Sequence, residues 1–299
     1  IGIGLPALMF AFVAAQAPSD RMVEWRYYSG DNAARKYSPL DQITRDNVST
    51  LAIAWRRPQL DPAVAPLLPG RLRLANNFRP TPLMVKGVMY ASNALGLAEA
   101  FDPETGATLW LQKPVGENVG GATSNRGVSY WTLGADERLF SFTGHSLFAL
   151  NPKTGEPIPD FGVKGAVDLN DGLDTALGQW HWASAPLVVK DVVVMGSAMA
   201  EQDSATKREG QPGDVRGYDV HTGKLRWTFH VVPRDGEDGR ESWEDEAWRY
   251  TGAGNVWALM SADEELGYVY LPTTSVTNDM YGGHRKGNNL FSDSIVCID

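Results

Sequence analysis

Hydrophobic residues in this chain cluster in short runs and seldom recur with the period of a helix. After residue 20, apolar stretches such as Leu83–Tyr90, Leu187–Val194 and Gly267–Leu271 are rich in β-branched or aromatic residues. Glycine, proline or polar residues bound these stretches, a pattern typical of strands. Long stretches with a 3.6-residue period are hard to find beyond residue 20. The pattern therefore predicts an all-β chain.

A ten-residue motif recurs along the sequence. Phe-Asp-Pro-Glu-Thr-Gly-Ala-Thr-Leu-Trp at 101–110 returns as Tyr-Asp-Val-His-Thr-Gly-Lys-Leu-Arg-Trp at 218–227, and a weaker copy occupies 150–155. The copies are anchored at Asp102, Asn151, Asp219 and Asp299, at separations of 49, 68 and 80 residues. Each full copy joins an apolar strand to a turn whose Gly can take positive φ, and then to a strand that ends on Trp. The repeat predicts a series of small antiparallel sheets.

Composition and charge agree with this interpretation. Ten residues each of Trp, Tyr and Phe, with 31 Gly and 18 Pro, suit short strands and many turns. The net charge of −9 and the scattered Lys and Arg residues argue against a nucleic-acid partner. The single Cys297 excludes an internal disulfide, and we expect it to be buried in a strand. Because no Ser-rich or charged linker divides the chain, we predict one repeat-built domain over residues 20–299.

Residues 1–19 form an uncharged and mostly apolar segment. It contains Ala15-Gln16-Ala17, which has the small-x-small form of a signal-peptidase site. We interpret the segment as a signal peptide or as the remnant of a membrane anchor. Either interpretation predicts export to the periplasm, with association to the inner membrane if the segment is an anchor.

Four stretches together carry a family resemblance. They are 24–31 (Glu-Trp-Arg-Tyr-Tyr-Ser-Gly-Asp), 125–130 (Asn-Arg-Gly-Val-Ser-Tyr), 215–219 (Val-Arg-Gly-Tyr-Asp) and 278–283 (Asn-Asp-Met-Tyr-Gly-Gly). In this order they resemble segments of the dehydrogenases that depend on pyrroloquinoline quinone (PQQ), in particular the branch with glucose, quinate and shikimate dehydrogenases. The resemblance covers nearly all of residues 24–299.

The resemblance implies an eight-bladed β-propeller built of four-stranded antiparallel blades. The Trp of each repeat would dock against the neighbouring blade. At about 50–60 residues per blade, residues 24–299 would supply about five blades. We therefore expect a partial propeller, truncated at its C-terminal end.

The resemblance also implies a cofactor site. In the family, PQQ lies flat near the propeller axis, a Ca²⁺ ion polarises its reactive carbonyl, and the alcohol passes hydride to the quinone. Arg126 matches the Arg that binds the cofactor, and Trp257 matches the Trp on which the cofactor stacks. Ser275 falls where the alcohol branch has an Asn metal ligand, so it is a candidate for both PQQ and metal. Thr277 is a further cofactor candidate, because the sugar branch uses a Thr in this segment.

Glu201 is the first candidate for the metal. Residues 186–201 align without a gap on the family strand that ends in an acidic calcium ligand, and Ca²⁺ prefers carboxylate oxygens. Asp203 is a nearby substitute. Simpler roles stay open for every candidate: a solvated loop Glu, a surface Arg, a blade-docking Trp, and hydroxyls bonded to nearby backbone.

The family's catalytic Asp belongs to a His-His-Asp-x-Trp-Asp segment, which does not occur before the sequence ends at Asp299. We therefore expect no catalytic residue in this polypeptide and no activity from it alone. The predicted function of the parent enzyme is oxidation of an alcohol group of a sugar, polyol or cyclic hydroxy acid, with electrons passed to a membrane quinone. The alternative is a non-catalytic propeller that shares the Trp-docking repeat and acts as a scaffold or assembly protein.

Overall fold

The computed structural model describes residues 23–62, 66, 68, 72–75, 77–114, 119–120, 125–173, 180–199 and 208–299. The predicted leader at 1–19 lies outside these ranges. Helical structure in the described part is limited to short 3-10 turns at Val48–Thr50, Arg240–Ser242 and Glu244–Arg249. Nowhere in these ranges does a helix have the length and apolar character needed to cross a bilayer.

The first two sheets are four-stranded and antiparallel. The first contains β2 (Leu83–Val85), β3 (Val88–Ser92), β4 (Ala98–Phe101) and β5 (Thr108–Leu111), paired in that order. The second contains β7 (Ser129–Leu133), β8 (Asp136–Thr143), β9 (Ser146–Leu150) and β10 (Ala166–Asp168), also in chain order. A short parallel pair, β1 (Leu72–Arg73) with β6 (Val119–Gly120), lies beside them.

The third and fourth sheets continue the series. The third contains β12 (Leu187–Val189), β13 (Val192–Ala198), β14 (Val215–Asp219) and β15 (Leu225–Phe229), and β11 (His181–Trp182) pairs with the far end of β13. The fourth contains β16 (Ser261–Asp263), β17 (Tyr268–Pro272) and β18 (Ile295–Ile298). This architecture confirms the all-β prediction and the repeat-built antiparallel sheets.

Two of the predicted apolar runs are hairpins and not single strands. Leu83–Tyr90 folds back at Lys86 and Gly87, which have φ values of 51° and 78°. Leu187–Val194 folds back at Lys190 and Asp191, and Lys190 has φ 49°. The polar pair in the middle of each run supplies a two-residue turn, so the flanking apolar residues pair across the hairpin.

The repeated motif forms the turns that its sequence predicts. One carboxylate oxygen of Asp102 accepts hydrogen bonds from the Glu104 and Thr105 N–H groups at 2.9 and 2.8 Å and from the Thr105 hydroxyl at 2.9 Å. Asp219 makes the equivalent bonds to its own turn, and these hold the pKa of each carboxyl below its usual value. The turn glycines Gly106, Gly155 and Gly223 take φ values of 72°, 72° and 68°, as expected.

Consecutive sheets bury their faces against each other. One apolar cluster joins the first sheet to the second through residues such as Leu83 and Leu139. A second cluster joins the second sheet to the third through Phe140 and Val193, and a third joins Val194 to Leu271 of the fourth sheet. Each interior sheet is therefore apolar on both faces, which explains the runs of buried residues in its central strands.

Indole rings fix one sheet to the turn of the next. Trp110 of β5 donates its ring N–H to the Pro152 carbonyl at 2.8 Å and lies against Gly155, where an added Cβ would stand 2.4 Å from the ring. Trp55 repeats this arrangement on the first sheet, with a 2.9 Å hydrogen bond to the Pro103 carbonyl and close packing on Gly106. The sequence prediction that repeat Trp residues dock on a neighbouring unit is confirmed for Trp110.

The part of the chain that the structure describes contains four sheets of the repeat, and length predicts about five units for residues 24–299. Long connections at 23–60 and 230–260 contain almost no strand. One detail differs from expectation. Cys297 is exposed and not buried, because it alternates with Val296 and Ile298 on β18 and occupies the outward face.

Replacing Gly155 with Ala should destabilise the protein strongly. The positive φ costs an L-residue about 1–2 kcal/mol, and overlap with the Trp110 ring adds about 1–3 kcal/mol. Gly144→Ala is the matched control, because Gly144 has φ 59° and nothing within 4 Å of the added Cβ. Urea denaturation measures both losses in unfolding free energy. Equal losses for the two variants would contradict the docking role of Trp110.

Glu99 on β4 should make stability fall as pH rises. Burial raises its pKa from the usual 4.5 to about 7, although Arg57 lies 3.1 Å away and opposes the shift. The folded state thus holds this proton more tightly than the unfolded state, so unfolding free energy decreases between about pH 5 and pH 7.

Between about pH 5 and pH 7, the unfolding free energy of the wild-type protein should fall by up to about 3 kcal/mol relative to that of Glu99→Gln. Denaturation at several pH values measures the difference. Glu104→Gln, which changes an exposed neighbour on the following turn and leaves Glu99 in place, should lose stability in parallel with the wild-type protein. A Glu99→Gln variant whose stability runs parallel to wild type at every pH would be incompatible with the shift.

Candidate functional site

Arg126 lies where the inner strands of three sheets begin. Its backbone N–H donates to the Ala183 carbonyl at 3.1 Å, just before β12, and its carbonyl accepts from the Thr81 N–H at 3.2 Å, just before β2. The residue itself precedes β7. These bonds tie three consecutive connections together, so the position of the guanidinium depends on the packing of the first three sheets.

Trp257 ends a tightly packed glycine-rich run, 252–257. Gly254 has φ 63°, and its N–H donates to the Ser275 carbonyl at 3.0 Å. Gly196 of β13 approaches the run so closely that an added Cβ would lie 2.2 Å from the Val256 carbonyl oxygen. The backbone is therefore fixed, while the Trp257 indole remains 39% exposed.

Arg126 and Trp257 meet in the structure. The Arg126 Nε donates to the Trp257 carbonyl at 3.2 Å, and the central carbon of the guanidinium lies 4.9 Å from the ring centroid. The two residues are 131 positions apart in sequence. A cation over an indole face is a favourable arrangement, and it confirms that these two predicted side chains converge.

The electrostatics of Arg126 favour an anion. Burial and, to a lesser degree, the positive charge of Arg79 lower the pKa of Arg126, and Tyr28 opposes them. A carboxylate beside this guanidinium would offset both causes. Tyr28 is a neighbour that sequence reasoning missed, because residues 24–31 entered only as a family signature.

Ser275 and Thr277 follow β17 and contact the same glycine-rich run. The Ser275 backbone accepts the Gly254 hydrogen bond, and its side chain is half-buried. The Thr277 hydroxyl is buried, accepts from the Gly252 N–H at 2.8 Å and lies 3.1 Å from the Arg208 carbonyl. This geometry gives Thr277 a structural role in joining two connections. The cofactor roles of both residues stay predictions.

The predicted metal ligand Glu201 and its neighbour Asp203 lie outside the described residues. Within the ranges that the structure does describe, no group of three or more His, Cys, Asp or Glu side chains is arranged to hold a metal ion. The geometry therefore leaves the metal site as a prediction.

The family model for the β-propeller domain of PQQ-dependent glucose, ethanol and alcohol dehydrogenases matches residues 25–299. The quinate/shikimate dehydrogenase (quinone) of Acinetobacter baylyi is 30% identical over 94% of this chain and 36% of its own length. The quinohemoprotein alcohol dehydrogenase ADH IIB of Pseudomonas putida is 31% identical over 92% of this chain and 38% of its own length.

A solved structure agrees with these relatives. The quinohemoprotein alcohol dehydrogenase of Comamonas testosteroni superimposes with a TM-score of 0.70 at 25% identity, over 93% of this chain and 39% of that one. The chain thus spans between about a third and two fifths of the length of these proteins. From the match over 25–299, the chain belongs to the family of PQQ-dependent dehydrogenases with a β-propeller domain.

Proposed function

We propose that this chain is part of a PQQ-dependent dehydrogenase that oxidises an alcohol group of a sugar, polyol or cyclic hydroxy acid. One observation carries the proposal: the Arg126 guanidinium lies 4.9 Å from the centroid of the exposed Trp257 indole, beside the connections that lead into the first three sheets. A scaffold protein has no evident need for an exposed indole beside a partly buried cation.

The chemistry of these two residues fits PQQ. The cofactor is a planar fused-ring quinone with carboxylate substituents, so it needs both a flat apolar surface and a cation. Trp257 offers a large dispersion surface, and Arg126 can form a two-pronged pair with a carboxylate. Because Arg79 adds positive charge near Arg126, an anionic ligand gains from both side chains.

When bound, PQQ supplies the quinone that accepts hydride from the alcohol carbon. Two residues of this chain would bind and orient the cofactor: Trp257 would supply a stacking surface, and Arg126 would pair with a carboxylate. Thr277 fixes Gly252 and the connection at Arg208, and thereby the backbone that presents the indole. No general base is assigned within the chain, because the family's His-His-Asp-x-Trp-Asp segment does not occur in it.

The finer parts of the proposal concern metal, acceptor and location. Glu201 and Ser275 are proposed as Ca²⁺ ligands, since both carry the hard oxygen atoms that this ion prefers. A membrane quinone is proposed as the electron acceptor, because the quinate/shikimate dehydrogenase that the chain resembles is named for a quinone. The uncharged segment 1–19 supports export to the periplasm.

Binding of PQQ to the purified protein should depend on both central residues. We expect Trp257→Ala and Arg126→Gln each to weaken binding by about 10–100-fold, the amount that corresponds to the loss of a stacking surface or a charged hydrogen bond. Arg126→Lys should recover only part of the loss, since Lys lacks the planar fork. Isothermal titration calorimetry measures all three constants.

Matched controls for this experiment are Tyr37→Ala and Arg35→Gln, which alter an aromatic residue and an arginine. Tyr37 is 75% exposed, and the side chain of Arg35 is also 75% exposed. Both should leave PQQ affinity unchanged. Wild-type affinity in the Arg126 and Trp257 variants, or an equal loss in the controls, would refute the cofactor site and favour the scaffold interpretation.

Calcium should strengthen PQQ binding through Glu201. We expect added Ca²⁺ to increase PQQ affinity in the wild-type protein and to have a much smaller effect in Glu201→Gln and in Ser275→Ala. Glu265→Gln, an exposed carboxylate on the β16–β17 turn, is the control. Titrations with calcium and with EDTA measure the effect, and an undiminished calcium response in Glu201→Gln would exclude this residue as a ligand.

A further inference from the structure

A cleft of about 630 Å³ opens beside the outer part of the third sheet. The ends of β14 and β15 form one side of it, and residues 171–173 of the second repeat and 248–251 form the others. Its volume is in the range of small-molecule sites. None of Arg126, Trp257, Ser275 and Thr277 lines it, although Gly210 of the lining packs against Thr277.

The floor of the cleft carries buried polar atoms that lack partners. Asp214 is 4% exposed; one carboxylate oxygen lies 3.4 Å from Arg234 and 3.7 Å from the His230 ring, whereas the other has no hydrogen bond. The hydroxyl of Thr251, 3% exposed, has no partner either. Leaving such groups unpaired is unfavourable, so a ligand with hydroxyl groups would stabilise this floor.

Three arginines line the walls of the cleft, and two of them pair with a carboxylate: Arg234 with Asp214 at 3.4 Å and Arg249 with Glu246 at 3.0 Å. Arg216, Arg234 and Arg249 line it together with His230, against the acidic residues Asp171 and Asp214. Arg216 donates to the Asp171 backbone carbonyl at 2.7 Å and makes no ion pair with any carboxylate that the structure describes, while its Nε is buried without a partner. Such guanidinium groups prefer a carboxylate or a similar planar anion.

His230 is oriented toward the floor. Its Nδ1 lies 2.8 Å from the Glu237 carboxylate, which leaves Nε2 facing Asp214. Burial raises the pKa of Asp214, and the charges of His230 and Arg234 oppose the rise.

Aromatic rings complete the cleft. Trp180, Trp248 and Tyr250 line it and provide flat apolar surface. The Arg249 guanidinium lies 4.4 Å from the centroid of Trp248, which fixes that ring at the rim. Aromatic faces beside planar polar groups suit a carbon skeleton that carries several hydroxyl groups.

We propose that this cleft is a second small-molecule site, which binds a polyhydroxylated monocarboxylate with its carboxylate on Arg216 and Arg234 and its hydroxyl groups on Asp214 and Thr251. A neutral polyol would leave Arg216 without an anion. A compact multiply charged anion such as phosphate would bring more negative charge beside the Asp214 carboxyl than a monocarboxylate does. The proposal does not depend on the cofactor role of Arg126 and Trp257.

Calorimetric titration of the purified protein with sodium gluconate tests the site. Gluconate should bind at least about 10-fold more tightly than sorbitol, which has similar hydroxyl groups and no carboxylate, and than acetate or inorganic phosphate. Equal affinity for sorbitol and gluconate, tighter binding of phosphate, or no gluconate binding would each overturn the proposal.

Variants locate the binding. Arg216→Gln and Asp214→Asn should each weaken gluconate binding by about 10-fold or more, since each removes a charged hydrogen bond. Arg35→Gln is the matched control, and Trp257→Ala should leave gluconate affinity unchanged because Trp257 does not line the cleft. Circular dichroism melts verify that each variant is folded; Thr251→Val serves if Asp214→Asn is not. Unchanged affinity in the folded cleft variants, or loss in Trp257→Ala, would contradict the assignment.

Discussion

The burial of each sheet between its two neighbours is the constraint on which the rest of this structure depends. A sheet of three or four short strands has little stability by itself. Here Leu83 and Leu139, then Phe140 and Val193, then Val194 and Leu271 successively fill the spaces between four such sheets. Because one sheet supplies apolar residues from both faces, its central strands cannot alternate between apolar and polar in the ordinary way. The indole of Trp110 on the Gly155 turn then sets how one sheet is placed against the next.

The relative positions of Arg126 and Trp257 depend on this packing. Arg126 stands in the connection that leads into β7 and bonds to the connections that lead into β2 and β12, whereas Trp257 stands in the connection before β16. Neither residue can be moved independently of the sheets around it. Gly196 of the third sheet contacts the Val256 backbone directly, so the position of that sheet also limits the position of the Trp257 indole. A rigid scaffold with its chemistry on the inner connections is a common way to obtain accurate positioning.

Local chemistry explains which features could be predicted from sequence. The Asp102 and Asp219 turns follow from a repeated motif whose hydrogen bonds lie within a few residues. The docking of Trp110 on Pro152, which is 42 positions away, was implied by the family resemblance. The convergence of Arg126 and Trp257 required the family resemblance, because no periodicity connects residues so far apart. The cleft at Asp214 and Thr251 gave no signal, since its polar residues come from separate repeats and match no motif. The exposed Cys297 was missed because composition alone does not specify which face of a strand a residue occupies.

Trp55 packs on the Gly106 turn in the same way that Trp110 packs on the Gly155 turn. The stretch around Trp55, however, pairs with no strand that the structure describes. Leu51 and Ile53 on this stretch are 59% and 65% exposed. An extended segment with unpaired backbone amides and exposed aliphatic side chains can pair with any other extended backbone. Self-association of this polypeptide is therefore expected to start at that segment. A Lys or Pro introduced there would oppose it.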